Sequence, residues 1–316
     1  MTAPLLGALG LVLSLVVPNL LAGARWPARV PQPAVVLWQC VTLASVLSAV
    51  GVVLAAPEQV NRTIGTGHRT AVWVLLGTLA VAALIVLRLL LSLLDVTRHA
   101  RARRARHRLL VDLLDRAEQH GDLDLVVPSG LRVLDGPVPF AYCLPGRSPR
   151  VVLSGGTLQV LAPDQVAAVL AHEQAHLRAR HDVVMEAFTA LYRALPRSLR
   201  SRTSLDAVHL LLEMMADDAA RRRFGAEPLR AALTTMGGAA DALVASTRVD
   251  ADGRDGEAER RRRLERLAAP AGTDRPMLPV ALLRLAVYAL ALSVLVLPTV
   301  VLIVPWLTEA LVDWPL

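Results

Sequence analysis

Polar and apolar positions divide this chain into long apolar runs towards both ends and a charged, finely patterned middle. The runs cover residues 5–21, 34–56, 70–94 and, far downstream, 278–307. Each is long enough to cross the hydrocarbon core of a bilayer as a helix, so the pattern predicts four spans. The first has no basic stretch before it and no small-residue cleavage site leading into a polar segment, which reads as a retained span rather than a signal peptide. All five tryptophans (Trp26, Trp38, Trp73, Trp306 and Trp314) fall at or near the ends of these runs. An interfacial aromatic belt would put them there.

The middle, residues 98–277, is long enough for one compact domain. Residues 109–119 have the period of an amphipathic helix, with Asp112, Asp115, Arg116 and Glu118 on the polar face. Residues 125–127, 131–134 and 151–153 are short β-favouring runs separated by Pro128, Gly130, Gly136, Pro137, Pro145 and Pro149, which predicts a small sheet with tight turns. A helix follows from about Pro163 to Arg180, with Pro163 in its first turn and Val166, Val169 and Leu170 as its apolar stripe. Residues 205–222 are again helical in pattern, and residues 251–257 and 268–276 read as linkers.

Composition agrees with a membrane protein: 54% of the 316 residues are hydrophobic and 19% are charged. All 34 basic residues are arginine, and the net charge is +7. The arginines concentrate beside apolar runs, which favours anionic lipid head groups as partners over nucleic acid, and no direct nucleic-acid binding is expected. Arg98, Arg101, Arg103, Arg104, Arg106 and Arg108 follow the third run, placing that end and the 98–277 domain in the cytoplasm. Tracing the chain both ways from there puts the N-terminus and the tail after the fourth span outside. Cys40 and Cys143 are too few for a disulfide framework and read as buried small residues.

The chemistry concentrates in Ala171-His172-Glu173-Gln174-Ala175-His176. On a helix His172 and His176 lie one turn apart on one face, where two imidazole nitrogens converge on one metal ion. Glu173 beside them is placed to act as a general base, the arrangement of a zinc hydrolase. Zinc needs a third protein ligand. A continuation that would supply a histidine six residues on fails, because Asp182 stands there. In residues 205–222, His209, Glu213 and Asp217 recur every four residues among Leu210, Leu211, Leu212, Met214 and Met215. Carboxylates in so apolar a setting need a partner, which assigns Glu213 as the third ligand and Asp217 as the residue that holds a zinc histidine or an arginine in place. His209 is either a donor to the oxyanion of the reaction or a structural histidine. His181, five residues beyond His176, falls off the predicted zinc face. Val151, Val152, Leu153 and Ser154 are expected at the edge of the sheet, offering backbone groups to an extended substrate.

His172-Glu173-x-x-His176, then Glu213-x-x-Ala216-Asp217, with Arg147-Ser148-Pro149-Arg150-Val151-Val152-Leu153-Ser154 just ahead, resembles the membrane-embedded gluzincin metallopeptidases. Two branches share the pattern: the HtpX and CAAX-protease-like enzymes, and the BlaR/MecR-type antirepressor peptidases. Four spans with the protease between the third and fourth are similar to the BlaR/MecR arrangement. The arginine-rich run Glu259 to Leu267 resembles the post-catalytic helix of both branches. That resemblance also carries departures. No lysine is present, so the acylatable Ser-x-x-Lys of a penicillin-binding sensor cannot form, and no such domain is expected after the fourth span.

The expected fold class is therefore an α-helical membrane protein of four transmembrane helices with an inserted α+β zincin-like metallopeptidase domain. It is expected to bind one Zn2+ per chain and to sit in the cell membrane as a multi-pass protein, possible as a homo-oligomer. The resemblance implies an endopeptidase that cleaves a cytosolic or juxtamembrane protein, a DNA-binding transcriptional repressor in the BlaR/MecR case. The alternatives are HtpX-like quality control of membrane proteins and an inactive zinc-stabilised receptor or scaffold. The intact Glu173 speaks against the last, since a structural zinc site needs no base and closes with a fourth ligand.

Overall fold

The computed structural model describes residues 2–64, 68–114, 130–195, 202–247, 253–268 and 280–312. From the N-terminus the elements are α1 (Thr2–Leu11), a π-helical turn (Val12–Val16), α2 (Val17–Gly23), a 3-10 turn (Trp26–Arg29), α3 (Pro31–Ile64), α4 (His68–Leu114), β1 (Leu131–Leu134), β2 (Ala141–Leu144), β3 (Arg150–Ser154), α5 (Gly155–Val160), α6 (Pro163–Ala179), α7 (His181–Ala194), α8 (Thr203–Phe224), α9 (Glu227–Thr247), α10 (Gly253–Ala268) and α11 (Val280–Val312). They form two compact units, one from Met1–Asp95, Phe188–Val208 and Pro276–Leu316, the other from Val96–Ala187 and His209–Arg275.

The first unit is helical and apolar. Three helical stretches among the described residues, Ala3–Gly23, Pro31–Ala55 and Val280–Val304, are long and apolar enough to cross a membrane. The expected span at 70–94 is helical within α4, but part of it lies outside the residues whose side chains are described, and it is not among the three. Pro18 lacks the N–H that would continue the ladder, and the helix widens into its π turn just before it. Small residues bring α1 and α3 together: a Cβ on Gly51 would sit 3.0 Å from Leu6 Cδ1, and one on Gly10 3.3 Å from Ser48 Cβ. Leu13, Val30, Leu37, Val41, Ala44, Val287 and Ala291 form the core of this bundle. Trp38, at 1% exposure, fills the interior, whereas Trp73 is 73% exposed. Residues 188–195 and 202–208, inside the expected 98–277 domain, group with this unit. Arg88 Nε donates to Ala194 O at 2.8 Å and Ser92 Oγ to Ala190 O at 2.6 Å.

The second unit is built on a three-stranded sheet of order β1-β3-β2, with β1 parallel and β2 antiparallel to β3. Val151 and Leu153 pack on one face with Leu161, Val166, Val169 and Leu170, so α6 covers that side. Val152 points to the other face, where Val111 and Leu144 meet it. The expected run at 125–127 lies outside the described residues, as do residues 115–119 of the expected amphipathic helix, while β2 was not expected at all. The expected linker at 251–257 is helical from Gly253 onward, as the first turn of α10.

The topology corrects the expected substrate edge. Val151, Val152, Leu153 and Ser154 lie in β3, which is the central strand and is hydrogen-bonded on both sides. Ser154 is also fully used. Its Oγ accepts from Phe140 N and Thr157 N, each at 3.1 Å, and so caps α5. A Cβ on Gly156 would collide with the Pro137 carbonyl, which is why glycine opens this tight strand-to-helix turn.

Candidate metal centre

α6 sets the first part of the site. Pro163 opens it, the Ala162 N–H donates to Gln165 Oε1 at 3.3 Å, and Asp164 lies in the first turn, all favourable at a helix N-terminus. Val166, Val169 and Leu170 anchor the helix on the sheet and leave the next face, with His172, Glu173 and His176, turned towards α8. α8 is fixed by Val208, Leu211, Leu212, Met214 and Ala216, all buried, and its opposite stripe carries Glu213 and Asp217.

The two helices bring three ligand atoms together. His172 Nε2 and His176 Nε2 are 3.2 Å apart, His176 Nε2 is 3.2 Å from Glu213 Oε1, and His172 Nε2 is 3.3 Å from Glu213 Oε2. A tetrahedral zinc ion with arms of about 2.0–2.1 Å separates its ligand atoms by about 3.3–3.4 Å. The donor set therefore fits zinc in both chemistry and spacing. Glu173 is buried beside it, and that burial raises its carboxyl pKa.

Each ligand has a partner behind it. His172 Nδ1 is 3.0 Å from Asp217 Oδ1, and Asp217 is 1% exposed. Asp217 is in turn gripped by Arg263 of α10, whose Nε and Nη2 donate to its two oxygens at 2.9 and 2.7 Å. Arg263 Nη1 also reaches Glu213 Oε2 at 2.8 Å. Burial works against charge on all these groups. For His172 it is outweighed by hydrogen bonds to Asp217 and Glu213, which hold the metal-free imidazole up to about 9. For Glu213 it is outweighed by hydrogen bonds from His172 and His176 and by the Arg263 charge, which keep the carboxylate far below its usual range.

Residues 100–235 match the model of peptidase family M48. This stretch of the chain is similar to the M48 peptidases. Every ligand of the metal centre lies inside the matched span, and Arg263 lies beyond it. The Protease HtpX homolog of Thermoplasma acidophilum is 32% identical over 148 residues, 41% of this chain and 47% of that protein, so the chain spans about half the length of the curated relative it matches. No solved structure matches.

Around the candidate metal centre the structure adds three residues to those expected. His181 is one, at 4% exposure with its Nδ1 2.9 Å from His176 Nδ1. Burial lowers its pKa to about 4. Arg180 has a left-handed backbone, φ 53°, which ends α6 and starts α7 at once, folding His181 back onto a helix face it would have missed on a continuous helix. Arg263 is the second. Its arginine-rich run was legible as a helix, but which of its arginines turns inward was not. Cys143 of β2 is the third. Its thiol is hydrogen-bonded to Glu173, and burial followed by the Glu173 charge pushes its pKa up. His209 faces the site from α8, with Nδ1 3.2 Å from Glu259 Oε2, a contact that raises its pKa against the effect of burial.

A cavity of about 460 Å3 opens over the metal centre between α6, α8 and β2, lined among others by Ala141, Tyr142, Cys143, Glu173, His176 and His209. A larger one, about 720 Å3, lies wholly in the first unit and is walled by aliphatic side chains with Arg88 as its one charged lining residue among those described. It holds none of the reactive groups.

Proposed function

We propose that the protein is a zinc endopeptidase of the membrane that cleaves a cytosolic or juxtamembrane regulatory protein, a transcriptional repressor being the substrate class favoured by the BlaR/MecR-like arrangement of motifs. The observation that carries the peptidase reading is the convergence of His172, His176 and Glu213 at tetrahedral spacing with Glu173 buried against them. Zinc held there supplies a Lewis acid for a peptide carbonyl. The chain's own residues do the rest. Glu173 Oε takes a proton from the attacking water and returns it to the leaving amide nitrogen as the C–N bond breaks; its raised pKa suits both halves of that transfer. His209, held towards its protonated form by Glu259, is the donor for the developing oxyanion. Among the described residues β2 is an outer strand of the sheet and borders the cavity, so an extended peptide would pair along Ala141–Leu144.

The test is a purified full chain carrying about one zinc and incubated with casein or a co-expressed repressor. Cleavage is expected, with Glu173→Gln losing at least about 100-fold in rate while retaining its metal, as removal of a general base predicts. Equal activity of the two proteins would sink the reading. The relative from Thermoplasma acidophilum favours a second reading of the same chemistry, HtpX-like quality control. Inactivating the enzyme in cells separates the two: one intact regulator accumulates in the first case, many misassembled membrane proteins in the second.

A further inference from the structure

The two histidines of the metal centre are backed by different chemistry. Behind His172 stands a carboxylate, Asp217. Behind His176 stands another imidazole, with the His181 ring almost perpendicular at 88° and the centroids 4.7 Å apart. Nδ1 faces Nδ1 at 2.9 Å, and two such nitrogens share a single hydrogen. An imidazole that gives its Nε2 lone pair to a metal carries its hydrogen on Nδ1. His176 is then the donor and His181 Nδ1 the acceptor, which places the other ring's hydrogen on His181 Nε2.

From this geometry we infer that His181 is a positioning residue of the metal centre: by accepting the Nδ1–H of His176 it fixes the tautomer and ring orientation that aim His176 Nε2 at the ion. The inference rests on the metallopeptidase reading above. Metal-bound histidines are usually backed by a carboxylate or a carbonyl oxygen. Here Glu173, Glu213 and Asp217 already bring three carboxylates into one small volume, matched by Arg263 and, once it is bound, the two charges of the zinc ion. A further carboxylate behind His176 would add another buried negative charge beside the base. An imidazole supplies the same orientation without charge. The left-handed Arg180 delivers it there, since α7 starts at His181 itself.

The experiment is zinc affinity of the full chain in detergent, measured by competition with a chelator. His181→Phe and His181→Leu keep the buried apolar volume and remove the acceptor, and both are expected to weaken zinc binding about 10–100-fold, the usual effect of losing such a partner. His181→Asn retains an acceptor oxygen and is expected to recover most of that loss. Should His181→Phe fail to fold, the leucine and asparagine variants still decide the matter. Unchanged affinity in an acceptor-less variant overturns the inference, and so does an equal loss in His181→Leu and His181→Asn, which would mark the ring as packing alone. If the parent chain binds no zinc, the metallopeptidase reading falls and takes this inference with it. Zinc bound equally by parent and His181→Leu removes the inference and leaves that reading standing.

Discussion

A histidine ligand competes with protons for its metal, and here the contest falls on His172. In the metal-free site its imidazole stays protonated up to about 9 because Asp217 and Glu213 hold the charged form against the effect of burial. Glu213 is ionised throughout the working range and releases no proton. Zinc must therefore displace one proton from His172 below pH 9, and its apparent affinity should rise about tenfold for each unit of pH until it levels off near 9. Chelator competition at a series of pH values checks this; a flat profile between about pH 6 and 8 would contradict the assigned pairings. These residues were legible because local rules placed them. His172 and His176 share one helix face, and Glu213 and Asp217 share another, so spacing alone put each pair together. His181 and Arg263 were not, since one depends on a left-handed turn at Arg180 and the other on how α10 docks.

α10 closes over α8 with matched charges at successive turns. Glu259 meets His209, Arg263 meets Glu213 and Asp217, and Arg266 meets Asp218. The central contact is buried, so removing its cation leaves two carboxylates with the His172 imidazolium as their remaining shared counter-ion among the described residues. Arg263→Met is expected to destabilise the metal-free protein by about 3 kcal/mol, the scale for breaking one side of a buried ion pair. The loss should shrink on zinc binding, which neutralises Glu213 from the other side. Thermal midpoints with and without zinc measure both values. The sheet shows where element-level reading ran out. β2, Ala-Tyr-Cys-Leu between Pro139 and Pro145, has no alternation to betray it. The central position of β3 did have a signal: three consecutive apolar residues, Val151 to Leu153, all buried, mark a strand covered on both faces rather than an edge with one wet side.

At the scale of the molecule, apolar length marked the three helices able to cross a membrane, and the arginines after residue 97 carry the expectation that the 98–277 domain is cytoplasmic. Ser148 sits on an exposed turn of that domain. In a background with Cys40 and Cys143 replaced by alanine, Ser148→Cys should react with a membrane-impermeant thiol reagent in inside-out vesicles and stay unlabelled in intact cells. Labelling of intact cells would reverse the orientation. Hydropathy could not say that residues 188–195 and 202–208 group with the apolar helices, because that assignment depends on contacts such as Arg88 with Ala194. The four-residue β2 carries one more consequence for the whole protein. A strand reads its guest through backbone groups, and a folded chain offers those only at loops, termini and sheet edges. A peptide pairing along β2 as proposed would thus be chosen by fold rather than by spelling: tightly packed segments would be passed over, and anything that loosens one, be it damage, a signal or loss of a partner, would expose it to cleavage.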